Sequence, residues 1–136
     1  MTPRHQEKHF SKAYAGEMIR IARGDLSSAE VLLKAKAGRA ENVCYLAHQA
    51  IEKSLKAVLC HLELAVPLVH DLGALIARLP TTLDRPFGYE LISLNDYAAV
   101  RRYEEGPDLL TPEELSEVFG QAKGVVMWAE KLIAKK

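Results

Sequence analysis

Apolar positions recur at three- and four-residue steps along most of the chain, the spacing that gathers them on one face of an α-helix. Ile19, Ala22, Leu26, Ala29, Leu32 and Leu33 predict a first helix over residues 11–36. Gly38 is its expected stop, because glycine enters the left-handed backbone region at little cost. Gly24 lies inside the pattern, where it costs about 1 kcal/mol relative to alanine and marks a bend or a close helix contact. A second helix is predicted over 41–64, with a broad stripe from Val43 through Leu46, Ala50, Ile51, Leu55 and Val58 to Leu62. Ala47, Ala50 and Ser54 are small enough to let another helix approach. The opposite face, with His48, Gln49, Glu52, Lys53 and Lys56, is expected to meet water, and Pro67 to close the helical region.

The later pattern is shorter and more broken. A third helix over 71–79 is stopped by Pro80, and 81–86 reads as loop. A fourth is predicted over 89–105, with Leu91, Leu94, Tyr97, Ala98 and Arg101 on one face and Gly106-Pro107 as its end. The fifth opens on Thr111-Pro112-Glu113-Glu114. Threonine as N-cap, proline in the first turn and glutamate three residues on make a capping box. Strand-like alternation is missing throughout. The expectation is an all-α, antiparallel four- to five-helix up-and-down bundle. It forms one domain over 1–136, with 1–10 a frayed N-terminal tail.

Composition narrows this picture without redirecting it. At 136 residues and 49% apolar content, the chain suffices for one core. Eighteen basic residues balance eighteen acidic ones, so whole-chain charge draws it to no polyanion and an RNA contact would need a local patch. Basic residues prevail up to Arg39 and acidic ones from His70 to Asp108, as solvated helix faces do. Cys44 and Cys60 fall on one predicted helix, about 24 Å apart along its axis, too far to bridge each other. The N-terminus shows no apolar leader segment, and no apolar run approaches the ~20 residues that span a bilayer. A cytoplasmic chain without membrane attachment is expected.

Few residues suggest chemistry by spacing alone. Cys44 and His48 share a helix face, but nothing nearby completes a zinc set, and neither metal-binding His-Glu-x-x-His nor Glu-x-x-His occurs. No cofactor or metal is expected, and no glycine-rich phosphate loop is present. Gln49, Glu52, Lys53 and Lys56 do share one face, with Glu52 and Lys56 in the favourable order for an i,i+4 ion pair.

Several segments taken together resemble the HEPN domain family. Ala22-Arg-Gly-Asp25-Leu26-Ser-Ser-Ala29 is similar to its A-x-x-D-L-x-x-A pattern, and Gln49-Ala50-Ile-Glu52-Lys53-Ser-Leu55-Lys56-Ala57-Val-Leu59 to its Q-A-x-E-K-x-L-K-A-x-L signature. Pro67-Leu-Val-His70-Asp71-Leu72 is similar to P-x-x-H-D-L, and Arg102-Tyr103 stands where the family carries R-Y-P, with Glu104 replacing the proline. The resemblance implies an antiparallel helical bundle, commonly a homodimer, often paired with a minimal nucleotidyltransferase. Some members are metal-independent ribonucleases with an R-x4-6-H site, in which arginine would steady phosphate charge while histidine moves protons. Here no histidine follows His70, and the only segment of that spacing, Arg4 to His9, lies in the expected tail.

The resemblance therefore points to a non-catalytic accessory module that associates with a small nucleotidyltransferase. Lys53, Lys56, His70, Arg102 and Tyr103 are the candidate nucleotide-binding residues: lysines as point charges, arginine as a planar fork, tyrosine as a stacking surface. His70 and Asp71 have a second reading, as a helix cap or structural network. The alternative function is a divergent ribonuclease or toxin of a toxin–antitoxin pair, acting on RNA through Arg101, Arg102 and His48 or His70. The wide apolar faces of the second and fifth helices favour a homodimer under either reading.

Overall fold

A computed structural model of the protein describes residues 6–98 and 110–134. The architecture is all-α, with a single two-residue strand pair among the described residues. The order is β1 (Glu7–Lys8), α1 (Tyr14–Ala35), α2 (Ala40–His61), β2 (Val66–Pro67), α3 (Leu72–Arg78), a 3-10 helix (Tyr89–Leu94) running into α4 (Asn95–Ala98), and α5 (Pro112–Ala134).

Helix α2 is the centre of the bundle, packing against α1, α5, α3 and α4. Ile51, Leu55, Val58 and Leu59 are fully buried there, and each such aliphatic side chain stabilises the fold by roughly 1.5–3 kcal/mol. Ala47, Ala50 and Ser54 are also inaccessible to water. The Arg23–Glu130 ion pair sets the middle of α1 beside the end of α5, while Leu33, Val43 and Leu115 line one hollow. Helix α1 therefore runs antiparallel to both α2 and α5, and the segment after α2 returns the chain for α5.

Element ends depart from the sequence expectation in four places. Lys36 (φ +54°), rather than Gly38 alone, takes the left-handed turn after α1; Gly38 (φ +76°) makes a second one before α2 begins. Helix α2 stops at His61, short of Leu64, because Glu63 turns left-handed (φ +61°) and Leu64 N–H closes back on Leu59. Pro67 is part of β2 rather than the helix stop. The expected fourth helix begins as a 3-10 helix; its stretch from 99 on, including Arg101, lies outside the described residues.

The frayed tail is a fifth departure, and it is a correction for residues 6–10. Glu7 and Lys8 pair antiparallel with Pro67 and Val66, and Leu68 N–H donates to the Gln6 carbonyl at 2.8 Å. Glu7 also forms an ion pair with Arg78 at the end of α3, and the Phe10 ring stacks on Tyr14 at 5.4 Å. Two hydrogen-bonded residues are too short a strand for alternation to reveal.

Local signals were faithful elsewhere. Thr111 Oγ1 accepts from Glu114 N–H at 3.1 Å, and Glu114 Oε1 accepts from Thr111 N–H at 3.0 Å, the reciprocal pair expected of a capping box. Asp71 caps α3 by accepting from Gly73 N–H at 2.9 Å. Gly73 sits in a tight place: a Cβ there would come 3.0 Å from Ile92 Cδ1 of the 3-10 helix, which would have to give by a few tenths of an ångström. Among the described residues, no helix is long and apolar enough to cross a membrane.

Candidate functional site

The face of α2 expected to meet water is instead the seat of a buried polar network. His48 is fully inaccessible and Glu52 is 3% exposed, because α3 and α4 close over this side of the helix. That corrects the solvated-face expectation for these two residues. Glu52 holds two partners: Lys56 Nζ donates to Oε2 at 3.0 Å, and His70 Nδ1 lies 2.9 Å from Oε1. Since a carboxylate accepts, His70 carries a hydrogen on Nδ1, which leaves Nε2 as the ring nitrogen outside this pair. The His70 side chain is 76% exposed, so this nitrogen faces solvent.

Asn95 organises the rear of the network. Its Oδ1 accepts from Leu72 N–H at 3.0 Å, and its Nδ2 donates to Asp71 Oδ1 at 2.9 Å, so the amide can point only one way. His48 Nε2, 3.2 Å from the same Oδ1, must then carry the ring hydrogen. Its Nδ1 keeps the lone pair, 4.0 Å from Glu52 Oε1, and no hydrogen bond of ordinary geometry reaches it. Burial holds the His48 pKa below the ordinary histidine range, opposed by the Asn95 hydrogen bond and the nearby Glu52 charge. Cys44, one turn earlier, is a buried thiol pushed up to about 11, mainly by desolvation.

The sequence candidates fall into two groups. Lys56 and His70 meet on Glu52, whereas Lys53 turns toward α1 and binds Asp25 Oδ2 at 2.6 Å. Arg102 and Tyr103, the remaining two, lie outside the described residues, as does Arg4 of the Arg4-to-His9 spacing. Sequence reading missed Asn95 and the partnership of Asp25 with Lys53. The pairing of Asp25 with Lys53 joins two helices and so has no spacing signal, and a lone asparagine near the start of a helix carries none either.

Four of these contacts tie separate segments of the bundle together. Asp25–Lys53 ties α1 to α2, Glu52–His70 ties α2 to the approach to α3, Asp71–Asn95 ties α3 to α4, and His48–Asn95 ties α4 back to α2. Chemically the arrangement offers one exposed imidazole and one ammonium group meeting on Glu52, with a second ammonium group turned to Asp25, all three already paired with carboxylates. It presents no convergent metal set among the described residues.

Fold and network together define a class of protein: a helical bundle whose signature residues staple its helices to one another. The HEPN domain family model matches residues 15–132, and the chain belongs to that family. The crystal structure of TT1696 from Thermus thermophilus is similar in fold, with a TM-score of 0.69 over 88% of this chain and 98% of that one. Identity between the two is 24%, so this likeness is one of architecture. No curated protein matches the sequence significantly.

Proposed function

We propose that the protein is a non-catalytic HEPN-type module that associates with a small nucleotidyltransferase and holds a nucleotide, or that enzyme's substrate, beside His70. One observation carries this reading: the signature residues Asp25, Glu52, Lys53, His70 and Asp71 are engaged in joining one segment of the bundle to another. A site built for scaffolding suits an accessory role. The sequence agrees, since no histidine after His70 is present to act as the ribonuclease acid. The exposed His70 imidazole and the Lys53 and Lys56 ammonium groups supply the phosphate side. Arg102 and Tyr103 supply a planar fork and a stacking ring from the following segment. A phosphate would compete with Asp25 and Glu52 for the lysines, which favours weak, exchangeable binding.

Self-association fits the same reading. Tyr14 and Ile21, seven residues apart on one face of α1, are 43% and 41% exposed, an apolar patch suited to a second copy. Light scattering at micromolar concentration is expected to return a dimer mass.

The test is affinity purification from the native host with mass spectrometry of bound proteins, followed by calorimetric titration of ATP. A small nucleotidyltransferase in stoichiometric amount, and heat of binding reduced by Arg102→Ala or His70→Ala, are the expected results. Recovery of the protein alone with no heat from ATP would overturn the reading. Cleavage of added RNA that disappears in Arg102→Ala would replace it with the ribonuclease alternative.

A further inference from the structure

On another face of the molecule, the loop before the 3-10 helix and the C-terminal half of α5 form an open groove of about 570 Å³. Its floor is apolar, made by Pro86, Met127 and Trp128 with Gly124 adding no side chain, and Arg85 and Lys131 stand at its edge. Met127 is 41% exposed although it is a large apolar residue well inside a helix. Trp128 is fixed rather than loose: its Nε1–H donates to the Asp84 carbonyl at 2.8 Å, and Phe87 meets it edge-on at 5.0 Å. A rigid apolar floor with an exposed methionine is a surface prepared for an apolar side chain.

Charge selects the occupant. The groove carries two cations against the single carboxylate of Asp84, in a chain whose totals are equal. The cationic edge therefore favours an acidic ligand. The aromatic faces argue against nucleic acid. Arg85 already lies 5.9 Å from both the Phe87 and Tyr89 ring centroids, and Phe87 is also packed against Trp128. Single-strand binders stack successive bases on several open rings, and here Arg85 stands beside both Phe87 and Tyr89, leaving Trp128 as the one ring of the groove floor. What stays available is the floor and the cationic edge.

We infer that this groove docks an acidic segment of a partner protein, with one apolar side chain seated on Met127 and Trp128 and carboxylates facing Arg85 and Lys131. The inference stands apart from the nucleotide reading, since it uses none of the same residues and defines its partner by chemistry alone.

Trp128 is the single tryptophan of the chain and so reports on the groove directly. The experiment titrates the full chain with three probes: a short peptide of glutamates flanking one leucine, its lysine counterpart, and oligouridylate of matched charge. Tryptophan emission and the anisotropy of labelled probe are both followed. The acidic peptide is expected to give a saturable change that the lysine peptide does not. The Arg85→Glu/Lys131→Glu double variant should weaken binding at least about tenfold, as expected when both cations facing the carboxylates are reversed. Met127→Ser should weaken it too while leaving the charges in place, which keeps the test sound if the double variant melts early. The inference is overturned if the acidic peptide gives no saturable signal, if either variant binds as wild type does, or if oligouridylate binds as tightly. It is likewise overturned if the double variant turns a dimer into a monomer by light scattering, since the occupant would then be a second copy.

Discussion

At the scale of single residues, Glu52 is the buried carboxylate on which two basic side chains of the network meet. It accepts from Lys56 on one oxygen and from His70 on the other, in a position nearly closed to water. Glu52→Ala strands a largely buried ammonium and frees the approach to α3, and a loss of about 2 kcal/mol in urea denaturation is expected. Lys53→Ala breaks a more exposed pair with Asp25 and should cost under about 1 kcal/mol. His48 gives the network a pH dependence. Its folded pKa lies below the value of about 6.5 in the unfolded chain, so the unfolded state binds the extra proton as pH falls through and below that value. Stability is then complete above about pH 6.5 and declines toward the acid side. His48→Gln should flatten this limb when denaturation midpoints are compared between about pH 7.5 and about pH 5. Spacing announced the Glu52–Lys56 pair, one helical turn apart in the favourable order, but not the rest. The step from His48 to Glu52 says that the two share a helix face; only α3 and α4 packing across it decides that the face is dry.

At the scale of elements, legibility followed how local the determining interaction is. The start of α5 is set by four consecutive residues that satisfy one another, and Thr111→Ala is expected to cost about 1 kcal/mol of stability, measured as a lower urea midpoint. The end of α2 depended on Glu63, a residue with no intrinsic preference for the left-handed turn it adopts, and so the sequence placed the boundary three residues late, at Leu64 instead of His61. The 3-10 start of the fourth helical segment is equally non-local, since Ile92 must reach the bare Cα of Gly73 on α3. Gly24 resolves the other way. Apart from its own helix backbone and chain neighbours, no described atom lies within 4 Å of the place its Cβ would occupy, so no close helix contact calls for the glycine. Gly24→Ala should therefore stabilise α1 by about 0.5–1 kcal/mol, seen as a higher melting temperature.

At the scale of the whole molecule, the helical bundle and its family were legible because periodicity and the signature segments both survive in the sequence, and residues 15–132 match the family as a unit. The site was legible only in part: the residues carrying the motifs were found, but their partners lie on other helices, and pairings between Asp25 and Lys53 or Asp71 and Asn95 are products of the finished packing. The strand pair has a consequence in time. Helices α1 and α2 meet through a short reversal and need little chain entropy to find each other, whereas β1 can find β2 only once that hairpin has brought the two ends of the first half together. The clasp should thus close after the rate-limiting step. In stopped-flow experiments, Glu7→Ala is expected to speed unfolding and leave the refolding rate nearly unchanged, making the N-terminus a latch on the lifetime of the native state rather than a guide to reaching it.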